Sequence, residues 1–257
     1  MIKEYLSYLA NNKMYSPNTI RRYNYVLVDF VHNMQGRSWS TITRQDIEQY
    51  IAAKNSSEST KASVLTAVRG IFCFCCTHYG LKENPARYIA MPKLSKKIPH
   101  VLTTEEIDAA LRLAPSKIKL AIMLMYLCGL RVSECLSLSI EDFNNHRILV
   151  RGKGKKERYV YVLSHIEELA HKLCQGGLIF ENTSDRQFRY DIYSVFRAAG
   201  VEMSPHMLRH TFASNMANAG MPLSHLAQLM GHSSIKTTQI YLHADNSQIR
   251  QSFFQYS

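Results

Sequence analysis

Apolar residues recur at three- and four-residue spacing along most of this chain, a period typical of amphipathic helices. Two helix starts in the first 90 residues carry capping signals. Ser16-Pro17 places a capping side chain before a proline at the first helical position, and Thr43 followed by Asp46 is a similar start. The pattern therefore predicts an all-helical N-terminal region, with helices at residues 2–12, 17–33, 43–54 and 59–79.

The segment from Met91 to His100 breaks this periodicity. It contains two prolines and three lysines, Lys93, Lys96 and Lys97, which is typical of a linker. We expect a first domain over residues 1–91, a basic linker over 92–101 and a second domain over 102–257. Two interpretations of the linker stay open: a solvated connector, or a strap that crosses DNA phosphates between two domains.

Beyond the linker the pattern is again mostly helical, with one change of period. Gly129 has the position of a helix stop. Arg147–Leu163 alternates and predicts two β-strands around a Gly-Lys-Gly turn, to which Leu178–Phe180 adds a short third strand. Helices are expected at residues 103–113, 116–128, 132–138, 164–174, 186–199, 205–219, 222–230, 235–242 and 246–255. The predicted fold is mainly α, with two domains and a small antiparallel sheet in the second.

The charge balance indicates a polyanionic partner. The 257 residues include 31 Lys and Arg against 20 Asp and Glu, a net charge of +11. Residues before Pro92 contribute 11 minus 6, and the rest contribute 20 minus 14, so both halves are basic. A nucleic acid or an anionic membrane surface fits such a charge. No apolar run approaches the roughly 18–20 residues of a spanning helix, and the N-terminus does not resemble a signal peptide, so we expect a cytoplasmic protein without a membrane partner.

The six cysteines do not predict a metal site. Cys73, Cys75 and Cys76 form a tight cluster, but no paired Cys-x-x-Cys or Cys/His set completes a zinc site. We expect these three side chains to face the core of a helix as small hydrophobic residues.

Candidate chemistry is concentrated in the last fifth of the chain. Ser204-Pro205 starts a helix that carries His206 and Arg209 in its first turn, on one face. A helix N-terminus favours phosphate, Arg209 adds a bidentate charge, and His206 adds a proton donor or acceptor. His210 points about 100° away from Arg209 and is interpreted as a residue that either packs or supports the neighbouring site residues.

A second arginine comes from far upstream. Arg131 follows the helix-stop glycine, and Glu134 lies one helical turn later, where it can pin the guanidinium group. Alone, this is an ordinary surface ion pair; with Arg209, two arginines at two helix starts can clamp one phosphate. Lys153 lies at the predicted hairpin tip, as either a solvated residue or a mobile general acid, and Lys155 and Lys156 beside it are candidate phosphate contacts.

His232 and Tyr241 complete the set. His232 follows Gly231 between two predicted helices, and Tyr241 lies nine residues later. A phenol can form a covalent intermediate, although a tyrosine at a helix end is most often an ordinary core or surface residue, and this chain has 15 tyrosines.

The ordered set of candidates resembles the tyrosine recombinase (phage integrase) family, and specifically Xer-like recombinases. The resemblance spans nearly the whole chain and rests on Gly-Leu-Arg131-Val-Ser-Glu, the Gly-Lys153-Gly hairpin, His206-x-x-Arg209-His, Met-Gly-His232-Ser-Ser and Thr-Thr-Gln-Ile-Tyr241. Two departures are mild. Cys128 stands where small or hydroxylated residues are usual, and Tyr161 replaces a common proline.

The resemblance implies a SAM-like core-binding domain and an α+β catalytic domain that clamp a duplex. Tyr241 would attack the scissile phosphate, giving a 3′-phosphotyrosine link and a free 5′ hydroxyl. Arg131, Arg209 and His232 would bind phosphoryl oxygens, and Lys153 would protonate the leaving oxygen. His206 would position or deprotonate the phenol. No metal, ATP or other cofactor is expected.

The resemblance also implies how the protein assembles. The expected partner is double-stranded DNA with paired half-sites, bound by a homo-oligomer that reaches a tetrameric synapse. Ile249, Phe253 and Tyr256 form one apolar stripe near the C-terminus. That stripe packs either on its own domain or on a neighbouring protomer. We expect no additional arm-binding domain before residue 1, which favours a simple Xer-like recombinase over a bipartite phage integrase.

Two other functions share parts of this pattern. A type IB topoisomerase uses the same phosphotyrosine chemistry without synapsis, and the Xer-like N-terminal domain and compact length disfavour it. A catalytically idle DNA-binding protein would retain the fold as a scaffold, and the intact set of candidate residues argues against that. A nicked DNA substrate distinguishes an active recombinase from the idle DNA-binding protein, because only an active enzyme becomes covalently trapped on it.

Overall fold

The computed structural model describes residues 1–93, 101–152 and 157–231. The chain divides into two compact units, Met1–Lys96 and Lys97–Ser257.

The first unit is helical throughout its regular structure, as predicted. Its helix starts use the expected caps: the Ser16 side chain accepts from the Thr19 backbone N–H at 3.3 Å, and Thr43 and Asp46 form a reciprocal capping box. The helices are α1 (Ile2–Asn11), α2 (Pro17–Asn33), α3 (Arg44–Ala52) and α4 (Glu58–Tyr79).

The longest helix, α4, forms the centre of this unit. Leu65, Ile71 and Phe72 on it are fully buried and pack with Phe30 of α2. In the described part of the chain, α4 is the one helix long and apolar enough to cross a membrane by length and composition, and half of that apolar window is buried inside the protein. Its composition is that of a helix buried in a protein core.

The prediction for the cysteines of α4 is wrong for one of the three. Cys75 is buried and Cys76 is half-buried, but Cys73 is exposed. Consecutive helical residues are turned by about 100°, so Cys73 lies about 200° from Cys75 and cannot share its face.

The second unit combines helices with one small sheet. A capping box between Thr103 and Glu106 starts its first helix. The helices are α5 (Thr104–Leu113), α6 (Ser116–Leu127), α7 (Val132–Leu136), α8 (Ser164–Leu173), α9 (Asp185–Ala198), α10 (Pro205–Asn218) and α11 (Leu223–Met230).

The sheet has three antiparallel strands in the order β1 (Phe143–Asn144), β2 (Arg147–Arg151) and β3 (Glu157–Tyr161). The predicted β2–β3 pair is confirmed. The prediction of a strand at Leu178–Phe180 is wrong: Leu178 forms only an isolated bridge to Ser139, and the third strand is Phe143–Asn144. A two-residue strand is too short to show a period in the sequence, and a tight turn at Asn145-His146, both with positive φ, folds it onto β2.

Helix α6 lies in the core of the second unit, with Leu120, Ile122 and Leu124 fully buried. Helix α10 packs against it, and Phe212 and Met230 join α10 to α11 in a second apolar cluster. The Leu102 backbone N–H donates to the buried Thr211 hydroxyl of α10 at 3.0 Å. These contacts bring the end of α6, the start of α10 and the end of α11 together.

Several predicted features lie outside the described residues. These are most of the linker, the hairpin tip, the helices at 235–242 and 246–255, and the residues Lys96, Lys97, Lys153, Lys155, Lys156, His232, Tyr241, Ile249, Phe253 and Tyr256.

Candidate active site

The start of α10 presents two of the predicted site residues. Ser204 precedes the helix and Pro205 is its first residue, a position where the missing N–H of proline costs nothing. His206 is exposed, whereas Arg209, one turn further, is buried with 3% of its side chain exposed. The arginine therefore points into the protein, and the histidine stays accessible at the same helix end.

Arg131 enters the site from the turn that ends α6. Gly129 has a φ of +66°, and a Cβ atom there would lie 2.5 Å from the Phe212 ring. Glycine is therefore needed both for the backbone conformation and for the close approach of α10. After this turn, Arg131 immediately precedes α7 and keeps a third of its side chain exposed.

Three arginines converge on the carboxylate of Glu134. The Arg131 backbone N–H donates to one carboxylate oxygen at 2.8 Å and its Nη1 donates to the other at 2.7 Å. Arg158 of β3 donates from Nη1 to Oε1 and from Nη2 to Oε2, both at 2.9 Å. The Nη1 of Arg209 lies 3.6 Å from Oε2. These four side chains together carry a net charge of +2.

This environment keeps Glu134 ionised. Burial by itself would raise the pKa of the carboxyl, which has only 4% of its side chain exposed. The hydrogen bonds from Arg158 and from the Arg131 backbone, with the charges of both arginines, outweigh burial and lower the pKa to about 2. The carboxylate is therefore a permanent negative anchor for the surrounding guanidinium groups at neutral pH.

The same three arginines also hold the C-terminal end of α11. Arg158 Nε donates to the Leu229 carbonyl at 2.6 Å, Arg209 Nη2 to the Met230 carbonyl, and Arg131 Nη2 to the Gly231 carbonyl at 3.4 Å. Three successive carbonyls at the negative end of a helix thus accept from three cations. This arrangement fixes the chain at Gly231, directly before His232.

His206 has an electrostatic environment suited to a neutral imidazole. Partial desolvation lowers its pKa, and positive charge from His210, Arg209, Arg189 and Arg131 lowers it further. The His210 ring stands perpendicular to the His206 ring, with 5.3 Å between centroids. Because a lowered pKa leaves the His206 imidazole unprotonated near neutral pH, the ring can accept a proton from a substrate or a neighbouring side chain.

The structure brings together three of the predicted site residues, Arg131, His206 and Arg209. Lys93 is exposed in an irregular segment of the first unit. In residues 1–93, 101–152 and 157–231, no group of three or more His, Cys, Asp or Glu side chains is placed to hold a metal ion. Cys128, a departure from the family pattern, is buried, which raises the pKa of its thiol to about 12.

Arg158 is the site residue that sequence reasoning missed. A signal for it exists in the alternation of β3: Glu157, Tyr159 and Tyr161 are exposed, whereas Arg158 lies on the same inward face as Val160. A charged residue on the buried face of a strand requires a charged partner. That partner is Glu134, 24 positions earlier.

Comparison with known proteins agrees with this architecture. Residues 100–248 match the phage integrase family, and residues 2–77 match the phage integrase N-terminal SAM-like domain. The tyrosine recombinase XerC of Bacillus pumilus (strain SAFR-032) is 30% identical over 98% of this chain and 94% of its own length.

Solved structures show the same fold. The XerH site-specific recombinase bound to palindromic difH substrate, in a post-cleavage complex, aligns with a TM-score of 0.75 and 24% identity over 91% of this chain and 78% of its own. A lambda integrase dimer bound to a COC′ core site aligns with a TM-score of 0.79 and 16% identity, over 92% of this chain and 95% of its own.

The chain belongs to the phage integrase family. Within that family it is a Xer-like tyrosine recombinase, a site-specific enzyme that cleaves and rejoins DNA. The predicted family and the predicted fold class, a mainly helical protein with a SAM-like N-terminal domain and a small antiparallel sheet, are confirmed.

Proposed function

We propose that Tyr241 is the nucleophile of this recombinase and that Arg131 and Arg209 bind the scissile phosphate. The observation that carries the proposal is the arginine cluster around Glu134, which holds the end of α11 directly before His232. Two guanidinium groups held beside one carboxylate supply the charge stabilisation on which phosphoryl transfer depends most.

The reaction begins at the phenol. The Tyr241 oxygen attacks phosphorus and forms a 3′-phosphotyrosine bond, while the bond from phosphorus to the 5′ oxygen breaks. His206 positions the phenol or accepts its proton, for which a lowered pKa is suitable. Lys153 donates a proton to the leaving 5′ oxygen, and His232 donates a hydrogen bond to a phosphoryl oxygen. A 5′ hydroxyl then attacks the phosphotyrosine and restores the phosphodiester.

This chemistry requires neither ATP nor a metal ion. One phosphoester bond forms for each one that breaks, so ligation needs no external energy. The positive charge that a divalent cation would supply at the phosphoryl oxygens comes from Arg131 and Arg209. Cleavage should therefore proceed in the presence of EDTA.

We propose that the substrate is a duplex with paired half-sites, gripped by a core-binding domain over residues 1–91 and a catalytic domain over 102–257, with the linker over 92–101 between them. Five lysines in the linker and at the hairpin tip would neutralise phosphates: Lys93, Lys96, Lys97, Lys155 and Lys156. DNA binding should therefore weaken steeply as the salt concentration rises. A tetramer on two duplexes would carry out strand exchange. Because the proposed substrate is DNA, we propose that the enzyme is cytoplasmic.

The nucleophile can be tested on DNA that the protein itself selects. Sequencing the DNA that copurifies with a Tyr241→Phe variant identifies a bound duplex, which is then prepared with a nick near the cleavage point. The wild-type protein should form an SDS-resistant adduct whose peptide map contains Tyr241. Tyr241→Phe should bind this duplex with similar affinity and form no adduct. Tyr190→Phe, a control at an exposed tyrosine of α9, should react like wild type.

Two results would contradict the proposal. An adduct on another tyrosine, or one that persists in Tyr241→Phe, would move the nucleophile elsewhere. A wild-type protein that binds the nicked duplex but never becomes attached would be a DNA-binding scaffold without cleavage activity.

A further inference from the structure

Arg158 occupies a position that the proposed cleavage chemistry does not use. Its side chain is 10% exposed, on the inward face of β3. Both of its Nη atoms donate to Glu134, and its Nε donates to the Leu229 carbonyl at 2.6 Å. These bonds hold both oxygens of the Glu134 carboxylate and a carbonyl at the end of α11, so Arg158 is suited to holding other residues in place.

The contact with Glu134 determines how Arg131 is held. Arg131 has a third of its side chain exposed, so its guanidinium has freedom to lose when it binds phosphate. Only one of its Nη atoms is bonded to Glu134, at 2.7 Å, and the second reaches Gly231 at a longer 3.4 Å. The position of Arg131 therefore follows the position of the carboxylate, and the two bonds from Arg158 fix the orientation of that carboxylate.

The contact with Leu229 determines how α11 ends. A Cβ atom on Gly231 would lie 2.9 Å from Nη1 of Arg158 and 3.2 Å from its Cδ. The Arg158 side chain thus packs directly on the glycine that ends α11, where φ is +60°. The chain continues from this glycine into His232.

We propose that Arg158 is a positioning residue for strand cleavage, which orients the phosphate-binding Arg131 through Glu134 and fixes the chain before His232 through the Leu229 carbonyl. This inference rests on the proposed function and extends it, since it assigns a role to a residue outside the proposed set that attacks, binds or protonates the substrate. Misplacement of a catalytic group by about 1 Å can cost about 100-fold in rate.

The test separates binding from cleavage. Arg158→Met keeps the apolar stem and removes the guanidinium, and Arg147→Met is the matched control, an arginine on the exposed face of the neighbouring strand β2. Single-turnover cleavage of the nicked duplex is measured at saturating protein, with half-site affinity measured separately. Arg158→Met should slow cleavage about 100-fold, the loss expected when a catalytic group is misplaced by about 1 Å. Its affinity for a half-site should stay close to that of Arg147→Met and wild type.

A double-mutant cycle tests whether Arg158 acts through the Glu134 carboxylate. If Arg158 acts through the carboxylate, Arg158→Met combined with Glu134→Gln should cleave no more slowly than the slower single variant. If Arg158 acted independently of Glu134, the two losses would multiply. Arg158→Lys retains a charge that can reach one carboxylate oxygen but not both, so it should cleave faster than Arg158→Met and more slowly than wild type. This variant also allows the test to be made if Arg158→Met does not fold.

The inference and the proposed function fail in different ways. If wild type forms no Tyr241 adduct, the proposed function is wrong. If wild type forms the adduct and Arg158→Met forms it equally fast, or if the Arg158 and Glu134 losses multiply, Arg158 is not a positioning residue and the proposed function stands.

Discussion

The guanidinium of Arg209 donates a hydrogen bond to the backbone carbonyl of Gly129, a residue 80 positions earlier in the chain. This bond joins the start of α10 to the turn that presents Arg131. Arg131 and Arg209, the two arginines predicted to bind one phosphate, are therefore linked through the Gly129 turn. Replacing either arginine should affect the position of the other.

Replacing Arg131 or Arg209 by lysine should restore little of the activity that alanine removes. We expect alanine at either position to slow single-turnover cleavage by about 10²–10³, the effect of losing one transition-state donor. An ammonium group cannot donate to two oxygens in one plane, nor can it replace the bonds of Arg209 to Gly129 and Met230. Arg112→Lys, at an exposed residue of α5, is the control. Lysine variants with near-normal rates would rule out a bidentate clamp.

Lys153→Ala should show a defect that depends on the leaving group. On ordinary DNA, loss of a general acid should slow cleavage by about 10²–10⁴. A substrate with sulfur at the 5′ bridging position should show a far smaller defect, because a thiolate leaves without protonation. Lys172→Ala, at an exposed residue of α8, should behave like wild type on both substrates. Equal defects of Lys153→Ala on both substrates would make this lysine a phosphate contact.

Glu134→Gln should destabilise the protein in a pH-dependent manner. The folded pKa of about 2 lies below the ordinary value of 4.5, so ionisation stabilises the folded state above pH 4.5 and this contribution disappears as pH falls towards 2. The shift corresponds to a contribution on the order of 3 kcal/mol. Urea unfolding should show a large difference between wild type and Glu134→Gln at pH 6 and a smaller one at pH 3. A difference that does not change with pH would contradict the ionised anchor.

Gly129→Ala should cost more stability than the same change at another glycine with positive φ. A left-handed conformation costs a non-glycine residue about 1–2 kcal/mol, and overlap with the buried Phe212 ring adds about 1–3 kcal/mol. Gly200→Ala is the matched control, since φ there is +79° and no atom lies within 4 Å of an added Cβ. Equal losses in the free energy of unfolding would show that α10 moves away from Gly129 without cost.

Truncation after Asn246 should uncouple DNA binding from synapsis. The apolar stripe of Ile249, Phe253 and Tyr256 lies outside the described residues, and a short helix with one apolar face requires a surface to cover it. If the tail docks on a neighbouring protomer, the truncated protein should bind one half-site normally but lose cooperative occupancy of two. Gel-shift titration and a two-site recombination assay measure these properties. Recombination at the full-length rate would show that the tail serves only its own domain.

Local signals in the sequence predicted most of the helices. The bounds of α2, Pro17–Asn33, follow from Ser16-Pro17 and from three- and four-residue spacing, both of which act within one or two turns. The same local rules predicted that Glu134 pairs with Arg131, because three residues in a helix span one turn. The strand at Phe143–Asn144 was missed because two residues are too few to express a period.

What the sequence determined by itself is therefore most of the helices in the described residues, the two strands of the hairpin, the basic charge and the ordered set of candidate site residues. The tertiary structure decided which of those residues meet. Arg158 binds Leu229, 71 positions later, and Arg131 binds Gly231, 100 positions later, so no local period connects these partners. They converge because α6, α10, α11 and β3 pack around one buried carboxylate, and a buried carboxylate is stable only when cations and N–H groups surround it.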